Sequence, residues 1–119
     1  MPETLGYLAA SSGTRKVLVA HPRVSQAQSL VGSLAQMGFE AVTATNGRDL
    51  FFKAANSPDF ELVFLSDYIS DPPLEETLQL LRRDRRTAGL PIALMVREEN
   101  LRRQQLKTED DPLTAAFPR

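Results

Sequence analysis

Few residues in this chain carry chemistry of their own, and the most suggestive stand directly after apolar runs. His21 follows KVLVA, and Ser66 and Asp67 follow LVFL. An imidazole in such a place could ligate a metal or sense pH. It is the only histidine, however, and a lone imidazole near a strand end reads more simply as a polar surface residue. Asp67, Asp71, Glu75 and Glu76 could together form a cation site. Acidic residues at a helix start are explained as well by capping and by the helix dipole, at about 0.3–1 kcal/mol each. Ser66 has no neighbouring base in sequence and is a weak nucleophile on its own. The basic run Arg82, Arg83, Arg85, Arg86 could meet phosphate or an acidic partner. It fits the solvated C-terminal end of a helix, where cations oppose the negative dipole end, and no aromatic residues interleave with it as single-strand binding prefers. Neither a G-x-x-x-x-G-K-[ST] loop nor a G-x-G-x-x-G fingerprint is present, so nucleotide binding has no specific support.

Those residues need elements to hold them, and the apolar pattern supplies a regular set. Lys16 to Ala20 is a β-branched run of the kind buried on both faces of a parallel sheet. From Val24 onward, Ala27, Leu30, Val31, Leu34 and Ala35 recur at helical spacing, and Gly38 stands where a left-handed terminator belongs. Ala41 to Ala44 is a weaker strand. Asn46 can cap a helix whose stripe is Leu50, Phe51, Ala54 and Ala55, ended by Asn56-Ser57-Pro58. Leu62 to Leu65 is the clearest buried strand. The loop SDYISDPP then leads to a helix with Leu74, Leu78 and Leu81 on its buried side, Asp71 as cap and Pro72 or Pro73 as opener. Ile92 to Val96 is a fourth strand. The polar stretch from Glu98 to Lys107, anchored by Leu101 and Leu106, is expected to be the most exposed helix. Leu113 to Phe117 is a short fifth strand. Alternating strands and helices imply a parallel sheet with helices on both faces.

Composition bounds the rest. The chain has 119 residues, 42% of them hydrophobic, a size that supports one domain with one core. Basic and acidic side chains number 14 and 15, for a net charge of -1, so neither nucleic acid nor an anionic membrane is drawn to it by bulk charge. There is no cysteine, which excludes disulfides and thiolate metal sites. No apolar stretch reaches the length of a membrane span, and the start MPETLGYLAASSGTRK lacks the pattern of a secretory signal; the cytoplasm is the default compartment. Residues 1–14 are expected to be a linker or short helix, with Leu5, Leu8 and Ala9 on one side, ahead of a domain over 15–119.

The segments RKVLVAHPR, MGFEAVTATNG and DFELVFLSD, in that order and at that spacing, resemble the receiver domain of two-component response regulators. The resemblance runs from about Arg15 to Phe117. It implies a flavodoxin-like, doubly wound α/β fold with five parallel strands in the order 2-1-3-4-5 and a site at the carboxyl ends of the strands. It also implies a chemistry that these residues cannot supply. The family ends its first strand in an acidic pair that helps hold Mg²⁺; the matching positions are His21 and Pro22, and neither offers a hard oxygen ligand. The family's phosphoacceptor aspartate matches Ser66 without a gap. Asp67 follows by one residue, and that slip turns its carboxylate to the other face unless a bulge intervenes. The family's hydroxyl residue on the fourth strand matches Val96, which cannot donate a hydrogen bond. Its lysine on the fifth strand falls near Phe117 to Arg119, where no lysine occurs, and arginine is no simple replacement.

The resemblance further implies a fifth helix after the last strand, for which this sequence has no residues. The sheet face beside the first helix is then expected to be short of cover, to be filled by the N-terminal segment, a second copy in a homodimer, or residues of a longer chain. The expected function is that of a pseudo-receiver: no enzyme, no cofactor, no metal, and a phosphorylation-independent interaction with a protein partner or neighbouring domain. The expected partner face is Leu101, Arg102, Arg103 and Leu106, the region receivers often use. The alternatives are an atypical receiver phosphorylated on Asp67 and a small-ligand module using the vacated pocket near His21 and Ser66.

Overall fold

Every apolar run expected to form a strand does so in the computed structural model, which describes residues 15–118. The strands are β1 (Arg15–Ala20), β2 (Phe39–Ala44), β3 (Phe60–Ser66), β4 (Ile92–Val96) and β5 (Thr114–Pro118). The helices are α1 (Val24–Gln36), α2 (Gly47–Asn56), α3 (Leu74–Arg83) and α4 (Glu98–Thr108). All pairings are parallel, in the order β2-β1-β3-β4-β5. Residues 1–14, expected as a linker or short helix, and Arg119 lie outside the described residues.

Side chains alternate along a strand, so each strand feeds both faces. One face collects Leu18, Ala20, Val63, Leu65, Ile92, Leu94 and Val96 under Leu50 and Ala54 of α2 and Leu74 and Leu81 of α3, with Leu101 of α4 packed against them. The other collects Val17, Val19, Leu62 and Phe64 against Ala27, Leu30, Val31 and Leu34 of α1. Among the described residues α1 is the only helix on that second face; toward its β5 edge Phe117 is 51% exposed, while Ala93 of β4 is buried.

Helix ends follow local chemistry in part. Gly38 takes φ +92° after α1, a conformation that costs a side-chain-bearing residue dearly. Asn46 caps α2 by accepting the N–H of Asp49 at 2.7 Å. The expected cap of α3 is corrected: its N-cap is Pro73, with no side-chain bond. Asp71 turns instead to the start of α2, pairing with Arg48 at 2.9 Å. α4 also departs from expectation. Leu106 is 57% exposed and anchors nothing, whereas Gln104 and Thr108 are buried, so the packed stripe is Leu101, Gln104, Thr108 at i, i+3, i+7.

The basic run is not the uniformly solvated helix end that its composition implies. Arg82 turns inward. Its Nε donates to Asp111 Oδ2 at 2.8 Å, its Nη1 to the carbonyls of Ala88 and Leu90 at 3.1 and 2.7 Å, and its Nη2 to Thr114 Oγ1 at 2.6 Å. One guanidinium therefore ties the end of α3, the loop before β4 and the start of β5 together. Arg86 instead grips Asp84 at the surface, and that side-chain hydrogen bond holds the Asp84 carboxyl down at about 2.

Candidate functional site

Parallel strands deliver their carboxyl ends to one rim of the sheet, and the residues just past those ends make whatever site the fold has. At this rim β1 gives His21, Pro22 and Arg23, β3 gives Ser66, Asp67 and Tyr68, and β4 gives Val96 and Arg97.

His21 is 5% exposed; the expectation of a surface histidine is corrected. Its Nδ1 accepts the backbone N–H of Arg23 at 3.0 Å, which places the ring proton of the neutral form on Nε2. The bond is local and fixes the turn from β1 into α1. Pro22 adds no donor and no side-chain ligand. Ser66 is the last residue of β3 and is fully buried. Its Oγ accepts the N–H of Tyr68 at 3.1 Å, a turn-forming bond. Val96 is fully buried among the core side chains of the α2–α4 face.

Asp67 follows the alternation expected of it. β3 runs in register with β4 through Ser66 opposite Met95, Asp67 N–H continues the ladder to Met95 O at 3.0 Å, and the one register shift in β3 pairing sits at the opposite end, between Lys16 and Val17 of β1. No bulge rotates the carboxylate. Its side chain, 6% exposed, lies on the α3 and α4 side, where Oδ2 accepts the backbone N–H of Arg97 at 3.2 Å and stands 3.6 Å from Arg97 Nε. There it borders a hollow of about 350 Å³ with Glu75, Arg97, Asn100, Arg103 and Lys107. His21 borders a different hollow, of about 330 Å³, with Gln26, Ser29, Leu30, Ser33 and Met95. The two groups nearest to a phosphorylation constellation thus open to opposite sides of the sheet.

Three rim residues that sequence reasoning passed over sit between them. The Tyr68 ring has the Arg23 guanidinium 5.3 Å from its centroid and the Arg97 guanidinium 5.0 Å away, a double cation–π contact. The signal was available: each of the three lies one to three residues beyond a strand end, where side chains meet at the rim.

The Mg²⁺ of receiver chemistry needs several oxygen donors converging with negative charge. The donor set here does not fit it. One position is an imidazole, one a proline, the serine oxygen accepts a backbone N–H, and the carboxylate is engaged by Arg97. Among the described residues no three His, Cys, Asp or Glu side chains cluster as metal ligands.

Of the expected partner residues, Arg102, Arg103 and Leu106 are exposed on α4 and Leu101 is half-buried. On α4, Arg102 and Leu106 face solvent and Leu101 packs against the core. Arg103 reaches along the helix to Asn100 Oδ1 at 2.7 Å and borders the Asp67 hollow.

No protein-family model and no curated protein matches the chain. Solved structures do. A response regulator receiver protein from Pseudomonas putida superposes with a TM-score of 0.77 at 14% identity, over 90% of this chain and 87% of that one. The chemotaxis response regulator CheY4 of Vibrio cholerae gives 0.78 at 20% identity, over 89% and 87%. The N-terminal domain of a response regulator receiver protein from Methanoculleus marisnigri gives 0.75 at 18%, over 87% and 83%. No helix among the described residues is long and apolar enough to cross a membrane. With its five parallel strands in the order 2-1-3-4-5 and its loops gathered at one rim, the chain has the fold of response-regulator receiver domains.

Proposed function

We propose that this chain is a pseudo-receiver, a signalling domain that works by binding a protein partner or a neighbouring domain and does no phosphoryl chemistry of its own. The observation that carries this reading is the separation at the rim. His21 and Asp67 border different hollows, one beside α1 and one beside α3 and α4. A phosphoacceptor needs its metal and its carboxylate at one point, since phosphoryl transfer is chiefly positioning and charge stabilisation. The guanidiniums of Arg23 and Arg97 stacked on Tyr68 add two positive charges to the same rim. What remains for function is surface, and α4 offers an exposed strip at Arg102 and Leu106.

A second reading has one observation in its favour. The hollow beside Asp67 is bordered by Arg97, Arg103 and Lys107, three cations that could compensate a phosphoryl group without metal. Incubation with a small phosphodonor, with and without Mg²⁺, followed by intact mass, separates the two readings. The pseudo-receiver reading expects no mass gain in either condition. A gain of one phosphoryl group that disappears in Asp67→Ala would replace it with the second.

A further inference from the structure

The hollow of about 350 Å³ beside Asp67 is bordered by more than that carboxylate. Asn100, Arg103, Gln104 and Lys107 stand at i, i+3, i+4 and i+7 of α4, so one helix face supplies a polar wall. Ile69, Pro73 and Leu74 supply an apolar one, and Ile69 and Leu74 are buried. Within the polar wall Gln104 is only 7% exposed, yet its Oε1 has no hydrogen-bond partner. A buried carbonyl oxygen without a donor costs free energy that an apolar side chain at the same place would not. A ligand N–H would satisfy it.

The charges around the hollow do not cancel. Arg97 lies 3.6 Å from Asp67 and Lys107 3.1 Å from Glu75. Arg103 has no carboxylate partner; its Nη2 donates to the neutral Asn100 Oδ1 at 2.7 Å. That bond steadies the guanidinium, whose fork suits a carboxylate, and leaves the Asn100 amide nitrogen as a further donor. A bare anion would bring no donor to Gln104 and would sit beside Asp67 and Glu75. A bare cation would meet the surplus charge of Arg103. A zwitterion answers both.

We propose that this hollow binds a free α-amino acid with an apolar side chain. Its carboxylate is held by Arg103 and the Asn100 amide, its ammonium by Gln104 Oε1, and its side chain by Ile69, Pro73 and Leu74. The volume, at the lower end of the roughly 300–1,000 Å³ usual for small-molecule sites, suits a ligand of that size. Such a site gives the signalling role a small-molecule input, and it does not depend on whether Asp67 accepts a phosphoryl group.

Isothermal titration calorimetry of the full chain with L-leucine, without phosphodonor or Mg²⁺, tests this. Saturable binding is expected, weakened at least about ten-fold for isocaproate, which lacks the ammonium, and for isoamylamine, which lacks the carboxylate. Arg103→Met and Gln104→Met are each expected to weaken leucine binding by a similar factor. Gln104→Met should do so with undiminished thermal stability, which separates lost binding from lost folding. Arg102→Met, on the solvent side of α4, is expected to bind as the parent does. No saturable heat with L-leucine, L-valine or L-phenylalanine up to about 10 mM overturns the proposal. So does isocaproate or inorganic phosphate binding as tightly as leucine, or unchanged affinity in either the Arg103 or the Gln104 variant.

Discussion

Replacing Arg82 by methionine removes the guanidinium that joins α3 to β5 while keeping most of its apolar stem. Arg82 is 22% exposed in its side chain and Asp111 33%, so the pair is neither a surface ion pair, worth about 0–1 kcal/mol, nor a dry one, whose breakage costs about 3–5 kcal/mol. The pair is joined by three further hydrogen bonds, to Ala88 O, Leu90 O and Thr114 Oγ1, each worth about 0.5–1.5 kcal/mol net. Water reaches part of the site and replaces some of them. The loss expected for Arg82→Met is about 3 kcal/mol, a large share of the roughly 5–15 kcal/mol that holds a domain. It corresponds to a fall in Tm of about 12 °C at roughly 4 °C per kcal/mol for a chain of this length. Arg82→Lys keeps the charge but not the fork, and is expected to lose about half as much. Urea unfolding followed by far-ultraviolet circular dichroism measures the change, with the exposed Arg83→Met as control, expected within about 0.5 kcal/mol of the parent. Hydrogen exchange should show the amides of β5 opening first, since β5 is the edge strand that Arg82 secures. A loss below about 1 kcal/mol for Arg82→Met would refute the reasoning, because it would mean that water satisfies those four acceptors as well as the guanidinium does.

Three further predictions rest on separate observations. Burial pushes the Asp111 carboxyl up, but hydrogen bonds from Thr114, the Leu113 N–H and Arg82 outweigh it and hold the group below the usual carboxylate range. Its stabilising contribution is therefore complete above about pH 5, where the unfolded carboxyl is already ionised, and is lost as pH falls through the lowered value. Asp111→Asn is expected to flatten that acid limb of stability against pH; an unchanged limb counts against the assignment. Gly47 leaves no room for a side chain, since an added Cβ would collide with Thr77 Oγ1 and press on Pro72; Gly47→Ala is expected to cost about 1–3 kcal/mol in urea unfolding, and a neutral result would show that the α2–α3 contact yields easily. Gln104 is 7% exposed and its Oε1 has no hydrogen-bond partner; Gln104→Met is expected to stabilise by about 1 kcal/mol, whereas a loss of that size would reveal a partner for the amide.

The sequence by itself determined the architecture. Five short runs of strand length, separated by helical stripes and by Gly38, Asn46 and Pro91, left a parallel doubly wound sheet as the economical arrangement, because each signal is local and each had to agree with its neighbours. The identity of the rim residues was legible too, since His21, Pro22, Ser66 and Val96 are read directly off strand ends, and the face of Asp67 follows from a period of two. Tertiary structure alone decided where long polar side chains go. Arg82 and Arg83 are identical in composition, but only one meets Asp111 and two free carbonyls from residues brought close by the β4–β5 pairing. Gln104 is buried and Leu106 exposed on the same helix because the rotation of α4 is set by the sheet beneath it, not by the hydrophobicity of single residues. The stacking of Arg23 and Arg97 on Tyr68 joins three loops distant in sequence, and contacts of that kind exist only once the strands have been laid side by side.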